Sequence, residues 1–215
     1  KRCLRTEFRN THFSYAMGVD GVEQFVSTPE LHSDDAIEAD PLPPGQVWAI
    51  SPGGQDAAPS LYRIEATCGP GSGVRILNAP VPPAFRESVR YGEQNLYSQA
   101  QNLVGDRDPR GHEFSVQLRA MDADRSGYGL GLPVLMALCG SLIERSTKGG
   151  LIVVGALNLG GSVEMLPNPV AVAELAVEKC ASQLLLPVSS RRQLLELPDE
   201  LATKVNIVFY SDAAD

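Results

Sequence analysis

Residues 126–157 read SGYGLGLPVLMALCGSLIERSTKGGLIVVGAL, and this stretch decides the fold. It opens with a glycine-rich turn at 126–131, which leads into an apolar run that we interpret as a buried helix ending near Arg145. The run 151–157 is continuously apolar, as in a strand that is covered on both faces. A buried helix followed at once by a buried strand predicts an α/β sheet.

The segments on either side continue this alternation. Before the turn, Phe114, Val116 and Leu118 alternate with polar residues, which indicates a half-buried strand. After residue 157 the pattern predicts, in chain order, a turn at 158–162, a short strand at 163–165, a helix at 169–181, a strand at 184–187, a short helix at 191–195 and a strand at 205–210. We therefore predict a mixed α/β sheet over 113–215.

Residues 46–112 predict a smaller, β-rich subdomain followed by a helix. Three strand-like runs, at 46–51, 61–67 and 73–78, are separated by clusters of Gly and Pro, which is typical of a β-meander. Apolar residues then recur at helical spacing and predict one amphipathic helix over 83–104. Residues 1–45 have no such period and end in a Pro/Gly cluster, so we interpret them as an extended segment or linker.

Composition and charge exclude several classes of protein. Of the 215 residues 43% are hydrophobic, which is enough to build a core and argues against a disordered chain. The net charge of −8 argues against a general surface for nucleic-acid phosphates. No apolar run reaches the roughly 18 residues that a membrane helix needs, and no signal peptide is visible. The four cysteines lie far apart, which favours free thiols in a reducing compartment.

Most known site motifs are absent from the sequence. The three histidines have no metal-ligand spacing, so we expect no metal site. The sequence contains no phosphate-binding GxxxxGK[ST] loop and no GxSxG nucleophile elbow. Residue spacing alone therefore leads no further than an acidic α/β protein.

The order of elements over 113–215 resembles the proteolytic domain of the Lon family. The resemblance rests on the glycine-rich loop before an apolar helix, the strand ending in GALNLGGSV (155–163), the strand ending in LLLP (184–187) and the terminal IVFY (207–210). In that family a Ser in the loop is the nucleophile and a Lys after the turn is its general base. The resemblance thus implies a Ser–Lys dyad, in which a desolvated lysine takes the serine proton.

The two dyad positions carry other residues here. Aligning the family's loop on Gly131 places Gly129 at the serine position, and aligning the turn on Gly161 places Val170 at the lysine position. Neither glycine nor valine can supply a nucleophile or a base. Two weak candidates could substitute for the dyad: Ser126, in the same loop, and Lys179, on the following helix. Lys179 lies about 13 Å along the helix from Val170, which is too far to replace the base without a register shift.

A closer resemblance, to the Lon-like proteins of bacterial BREX phage-defence systems, covers nearly the whole chain. It is carried by FRNTHFSY (8–15), EQFVSTPE (23–30), DPLPPGQVW (40–48), LYRIE (61–65), LLLPVSSRR (184–192) and IVFYSD (207–212). The resemblance implies a cytoplasmic, AAA+-driven homo-oligomeric ring, hexameric in the family. ATP and Mg²⁺ would bind an upstream AAA+ module, with no cofactor in this chain, and DNA would be engaged mainly outside it. The start without methionine fits a fragment of such a protein.

These observations predict a catalytically inactive, C-terminal Lon-like domain that serves ring assembly in phage defence. One alternative is an ATP-dependent endopeptidase of the Ser–Lys type, with a displaced dyad that uses Ser126. Another is a binding module that recruits a partner through the acidic N-terminal segment, which includes Asp34, Asp35, Glu38 and Asp40. We expect no membrane association.

Overall fold

The structure is a computed structural model that describes residues 12–17, 23–28, 37–53, 57–122 and 124–215. It divides the chain into two units, Lys1–Ala36 and Ile37–Asp215. In the first unit β1 (His12–Met17) pairs antiparallel with β2 (Glu23–Thr28). Of the acidic residues proposed as a partner-binding segment, Asp34 and Asp35 lie outside the described residues.

The second unit is built on one seven-stranded sheet. Its strands are β3 (Gln46–Ser51), β4 (Ser60–Pro70), β5 (Gly73–Ile76), β6 (His112–Ala120), β7 (Leu151–Val153), β8 (Gln183–Pro187) and β9 (Asn206–Tyr210). They lie in the order β5-β6-β4-β3-β7-β8-β9. The pairs β3–β4 and β4–β6 are antiparallel and the others are parallel. The predicted mixed α/β sheet is therefore confirmed, and it includes strands from both 46–112 and 113–215.

The predicted β-meander is wrong in its third strand. Strand β5 pairs with β6 rather than with β4, and β6 lies between them. The chain crosses the start of β6 at Gly71, which has a φ of +146°. A Cβ at Gly71 would lie only 2.7 Å from the Cβ of Glu113, so the crossing requires a glycine. Sequence alternation identified the strands but not this insertion.

The helices lie on both faces of the sheet. They are α1 (Pro83–Ser98), α2 (Ala100–Val104), α3 (Gly131–Leu142), α4 (Pro169–Glu178) and the single turn α5 (Asp199–Ala202). Three 3-10 turns occupy Pro109–Gly111, Val188–Ser190 and Gln193–Glu196. The single helix predicted over 83–104 is interrupted at Gln99, and the helix predicted at 191–195 is a 3-10 turn. Helices α1 and α3 pack closely, because a Cβ at Gly92 would lie 2.9 Å from Val134.

The core consists of two clusters, one on each face of the sheet. The first contains Tyr62, Phe85 and Phe114 and is covered by α1 and α3, whereas the second contains Trp48, Ile50 and Leu184 and is covered by α4. The second cluster also takes in Ile37 and Leu42, which are 6% and 2% exposed. Residues 37–45 are thus part of the folded unit, although their composition resembles a linker.

Strand β7 is shorter than the predicted run 151–157. The hydroxyl of Tyr210 donates to the carbonyl of Val154 at 2.7 Å. A Cβ at Gly155 would lie 2.0 Å from the same hydroxyl oxygen. The chain therefore leaves the sheet after Val153, and the strand predicted at 163–165 is reduced to one bridge between Leu157 and Val163. In the part of the chain that the structure describes, no helix is long and apolar enough to cross a membrane.

Candidate functional site

The glycine-rich loop is held in place by Asp124. This carboxylate accepts the backbone N–H of Ser126 at 2.9 Å and its hydroxyl at 2.8 Å. The Tyr62 hydroxyl lies 2.9 Å from both the carboxylate and the carbonyl oxygen of Asp124, and it accepts the N–H of Gly127 at 3.3 Å. The N–H groups of Ser126 and Gly127, the Ser126 hydroxyl and the Asp124 carbonyl thus all have hydrogen-bond partners nearby. These bonds fix the loop that leads into α3.

These contacts change the pKa values of both acids. Burial raises the pKa of Tyr62 to about 12. Burial would also raise the pKa of Asp124, but the hydrogen bonds from Ser126 and Tyr62 outweigh it and lower that pKa below its usual value. At neutral pH the pair is a neutral phenol beside a carboxylate. The lowered pKa makes Asp124 a weak base toward the Ser126 hydroxyl, so we interpret this arrangement as stabilising the loop.

Gly129, the position assigned to the nucleophile, sits in the left-handed region with a φ of +69°. A Cβ there would lie 3.1 Å from the Cδ of Pro52 and 3.9 Å from the Cβ of Ala156. A serine at this position would therefore be strained in its backbone and pressed against the Pro52 ring. The next residue contacts α1, because the N–H of Leu130 donates to the hydroxyl of Ser88 at 3.2 Å.

Val170, the position assigned to the base, lies in the first turn of α4. It is half-buried and packs against the second core cluster. The turn begins at Asn168, whose side chain accepts the N–H of Ala171 at 3.2 Å. Val170 is thus a packing residue at the start of a capped helix.

The two substitute candidates are each engaged by a different aspartate. Ser126 is exposed and bonded to Asp124, whereas Lys179 is 7% exposed and its Nζ lies 3.3 Å from Oδ1 of Asp122. The other oxygen of Asp122 accepts the N–H of Leu61 at 2.6 Å. Ser126 and Lys179 make no hydrogen bond to each other in the described part of the chain. Both side chains hold structure in place in this conformation.

A cleft of about 240 Å³ opens beside Gly129. Its lining consists of α1 residues, the loop and the chain after β7: Ala84, Glu87, Ser88, Tyr91, Tyr128, Gly129, Gly131, Ala156, Leu157 and Glu164. The Tyr91 hydroxyl donates to Glu87 at 2.9 Å. This bond and the charge of Glu87 raise the pKa of Tyr91, with smaller contributions from burial and from the charge of Glu164. No pattern in the sequence pointed to Glu87, Tyr91 or Glu164 as site residues. Only the i, i+4 spacing of the first two could have linked them, and nothing local links either to Glu164.

The described residues offer no evident place for a metal ion. Among them, no group of three or more His, Cys, Asp or Glu side chains lies close enough to hold one. His112 is instead held by its own turn, with Nδ1 2.8 Å from the carbonyl oxygen of Asp108.

Comparison with known proteins supports the family resemblance. The chain is 27% identical over 210 residues to a Lon-like protease BrxL of Escherichia coli and 23% identical over 210 residues to a Lon-like protease BrxL of Bacillus cereus. These matches cover 97% of this chain but only 30% and 31% of the relatives. A Lon protease of Lawsonia intracellularis is 24% identical over 187 residues, which cover 86% of this chain and 22% of that protein. No protein-family model matches the chain.

These matches confirm the resemblance to the Lon-like proteins of BREX systems, and the mixed sheet agrees with a Lon-like domain. The chain spans about a third or less of the length of the relatives that it matches.

Proposed function

We propose that this chain is the C-terminal Lon-like domain of an AAA+ ATPase in BREX phage defence, and that it does not hydrolyse peptide bonds. The surroundings of Gly129 carry the proposal. At the position assigned to the serine, the backbone has a φ of +69°, and a Cβ would be crowded by the ring of Pro52, whose Cδ would lie 3.1 Å away. A Ser–Lys mechanism needs a hydroxyl and an amine within hydrogen-bond reach of each other.

Neither half of such a pair is supplied at the assigned positions. Gly129 has no side chain, and Val170 packs into the second core cluster. Ser126 and Lys179 are bound to Asp124 and Asp122, so they would have to exchange strong local partners before they could act together. The loss of chemistry with retention of the fold favours a role in assembly.

The proposed role is contact between subunits of a homo-oligomeric ring, hexameric by resemblance, in the cytoplasm. ATP and Mg²⁺ would be bound by an upstream AAA+ module, and DNA would be contacted mainly outside this chain, whose net charge is −8. Contiguous exposed apolar surface marks interaction sites. Leu159, in the turn at 158–162, and Met165, shortly after it, are 64% and 70% exposed, and we propose that they belong to the subunit contact.

Proteolysis is tested with casein, an unstructured substrate, followed by mass spectrometry. The assay uses this chain and the full-length protein with ATP and Mg²⁺, and Ser126→Ala serves as the matched variant of each. We expect no cleavage by any of the four proteins. Cleavage that disappears in a folded Ser126→Ala variant would refute the proposal and establish the displaced dyad of an ATP-dependent endopeptidase.

Assembly is tested by sedimentation velocity of the full-length protein. We expect Leu159→Ser with Met165→Ser to shift the protein toward smaller species. Leu195→Ser is the control, since Leu195 is 84% exposed but lies in a different part of the unit. Equal sedimentation of all three proteins would exclude the turn between Leu159 and Met165 as a subunit contact.

A further inference from the structure

The cleft beside Gly129 is lined by residues that the absence of a Ser–Lys dyad does not explain. Two carboxylates, Glu87 and Glu164, and two phenol rings, Tyr91 and Tyr128, converge on it. We propose that this cleft binds an arginine side chain of an extended polypeptide, without cleaving it. The proposal goes beyond a role in assembly and does not depend on it.

The carboxylates are not neutralised within the protein. Among the described residues, the ion pairs join Arg63 and Arg119 to Glu65, Arg75 to Glu113 and Lys179 to Asp122. None of them involves Glu87 or Glu164, and no Lys or Arg lines the cleft. The Tyr91 hydroxyl donates a hydrogen bond to Glu87, which orients that carboxylate without supplying a positive charge. The cleft therefore offers two negative charges to a cation from outside.

The aromatic and apolar walls favour arginine over a small metal ion. Tyr128 lines the cleft and is 43% exposed, so part of its side chain is accessible to a ligand from solvent. A planar guanidinium can lie on such a ring and donate to carboxylates at the same time. Ala156 and Leu157 form an apolar part of the lining, against which the methylene stem of the side chain can pack.

The size of the cleft favours one side chain over a cofactor. Its volume, about 240 Å³, is below the roughly 300–1,000 Å³ of most small-molecule pockets. Gly129 has no side chain, so a segment bound here would find no nucleophile at that position. The negative charge of the cleft, its size and the exposed Tyr128 side chain all favour a polypeptide that inserts one cationic side chain.

The test is fluorescence anisotropy with a fluorescein-labelled dodecapeptide of alternating Gly and Arg, at 150 mM salt. The same peptide with citrulline in place of arginine keeps the shape but removes the charge. We expect the citrulline peptide to bind at least tenfold more weakly. We also expect Glu87→Gln with Glu164→Gln to weaken binding of the arginine peptide about five- to tenfold, and Tyr128→Ala about threefold.

The matched control is Glu174→Gln with Glu178→Gln, which removes the same charge from exposed positions on α4. It should change the affinity by less than twofold, and circular dichroism should show that all variants are folded. If both double variants weaken binding equally, the attraction is a general effect of net charge and the proposed site is wrong. Equal binding of the citrulline peptide would also overturn it. Cleavage of the peptide, seen by mass spectrometry, would overturn the proposal that the cleft binds without cleaving.

Discussion

The ion pair between Lys179 and Asp122 ties the end of α4 to the segment after β6, and its two halves should differ in importance. The ammonium is more deeply buried: the side chain of Lys179 is 8% exposed, against 28% for Asp122. Asp122 also holds the N–H of Leu61 at 2.6 Å. Loss of the lysine leaves a carboxylate that keeps this donor and some solvent, whereas loss of the aspartate leaves a buried cation and a freed N–H.

The magnitudes follow from this asymmetry. Breaking a well-buried ion pair by removing one partner costs about 3–5 kcal/mol, and partial exposure lowers that cost. We expect Lys179→Met, which keeps the shape of the side chain, to reduce the free energy of unfolding by about 1–2 kcal/mol. Asp122→Ala should reduce it by about 3–4 kcal/mol, because the unpaired charge and the orphaned N–H both count.

The measurement is urea denaturation at pH 7 and 25 °C, followed by circular dichroism. Lys148→Met is the matched control, because Lys148 bonds to Gln183 at 3.0 Å on the exposed surface, and it should cost less than about 0.5 kcal/mol. If Asp122→Ala cost no more than Lys179→Met, the reasoning from burial would be refuted.

Two further predictions concern titration and thiol chemistry. Burial raises the pKa of Tyr62 to about 12, whereas an unfolded tyrosine ionises near pH 10. Stability should therefore be complete below about pH 10 and should fall as the pH rises toward 12; Tyr62→Phe should flatten this decline and Tyr128→Phe should not, as measured by urea denaturation at each pH. Burial also raises the pKa of Cys139 to about 12, while Cys180 is exposed. Iodoacetamide at pH 8 should modify Cys180 at least tenfold faster, as read by peptide mass spectrometry, and equal rates would contradict the raised pKa of the half-buried Cys139 thiol.

Local pattern predicted most strands and helices because each has a buried face with its own period. Phe114, Val116 and Leu118 alternate and lie in β6, and Phe85, Val89 and Leu96 recur at helical spacing and are buried in α1. The pattern failed where distant residues decide the path. The end of β7 depends on the hydroxyl of Tyr210, and the pairing of β5 depends on the entry of β6 between two earlier strands.

The candidate site could be predicted only in part. Alignment of motifs identified Gly129 and Val170, but the ring of Pro52 that crowds the space beside Gly129 follows the end of β3, far away in the sequence. No pattern in the sequence predicted that Asp124 would bind Ser126 or that Asp122 would bind Lys179. The cleft likewise assembles from α1 and the chain after β7, whose side chains have no common spacing.

The place of β6 between β4 and β5 has a consequence for synthesis on the ribosome. Both earlier strands leave the ribosome first, and their shared partner follows only after α1 and α2. Until then β4 and β5 each present a strand edge without the neighbour that covers it in the finished sheet, and such edges recruit other chains. A nascent chain that stalls before His112 therefore presents two uncovered strand edges, and we expect a chaperone that covers such edges to protect it from aggregation.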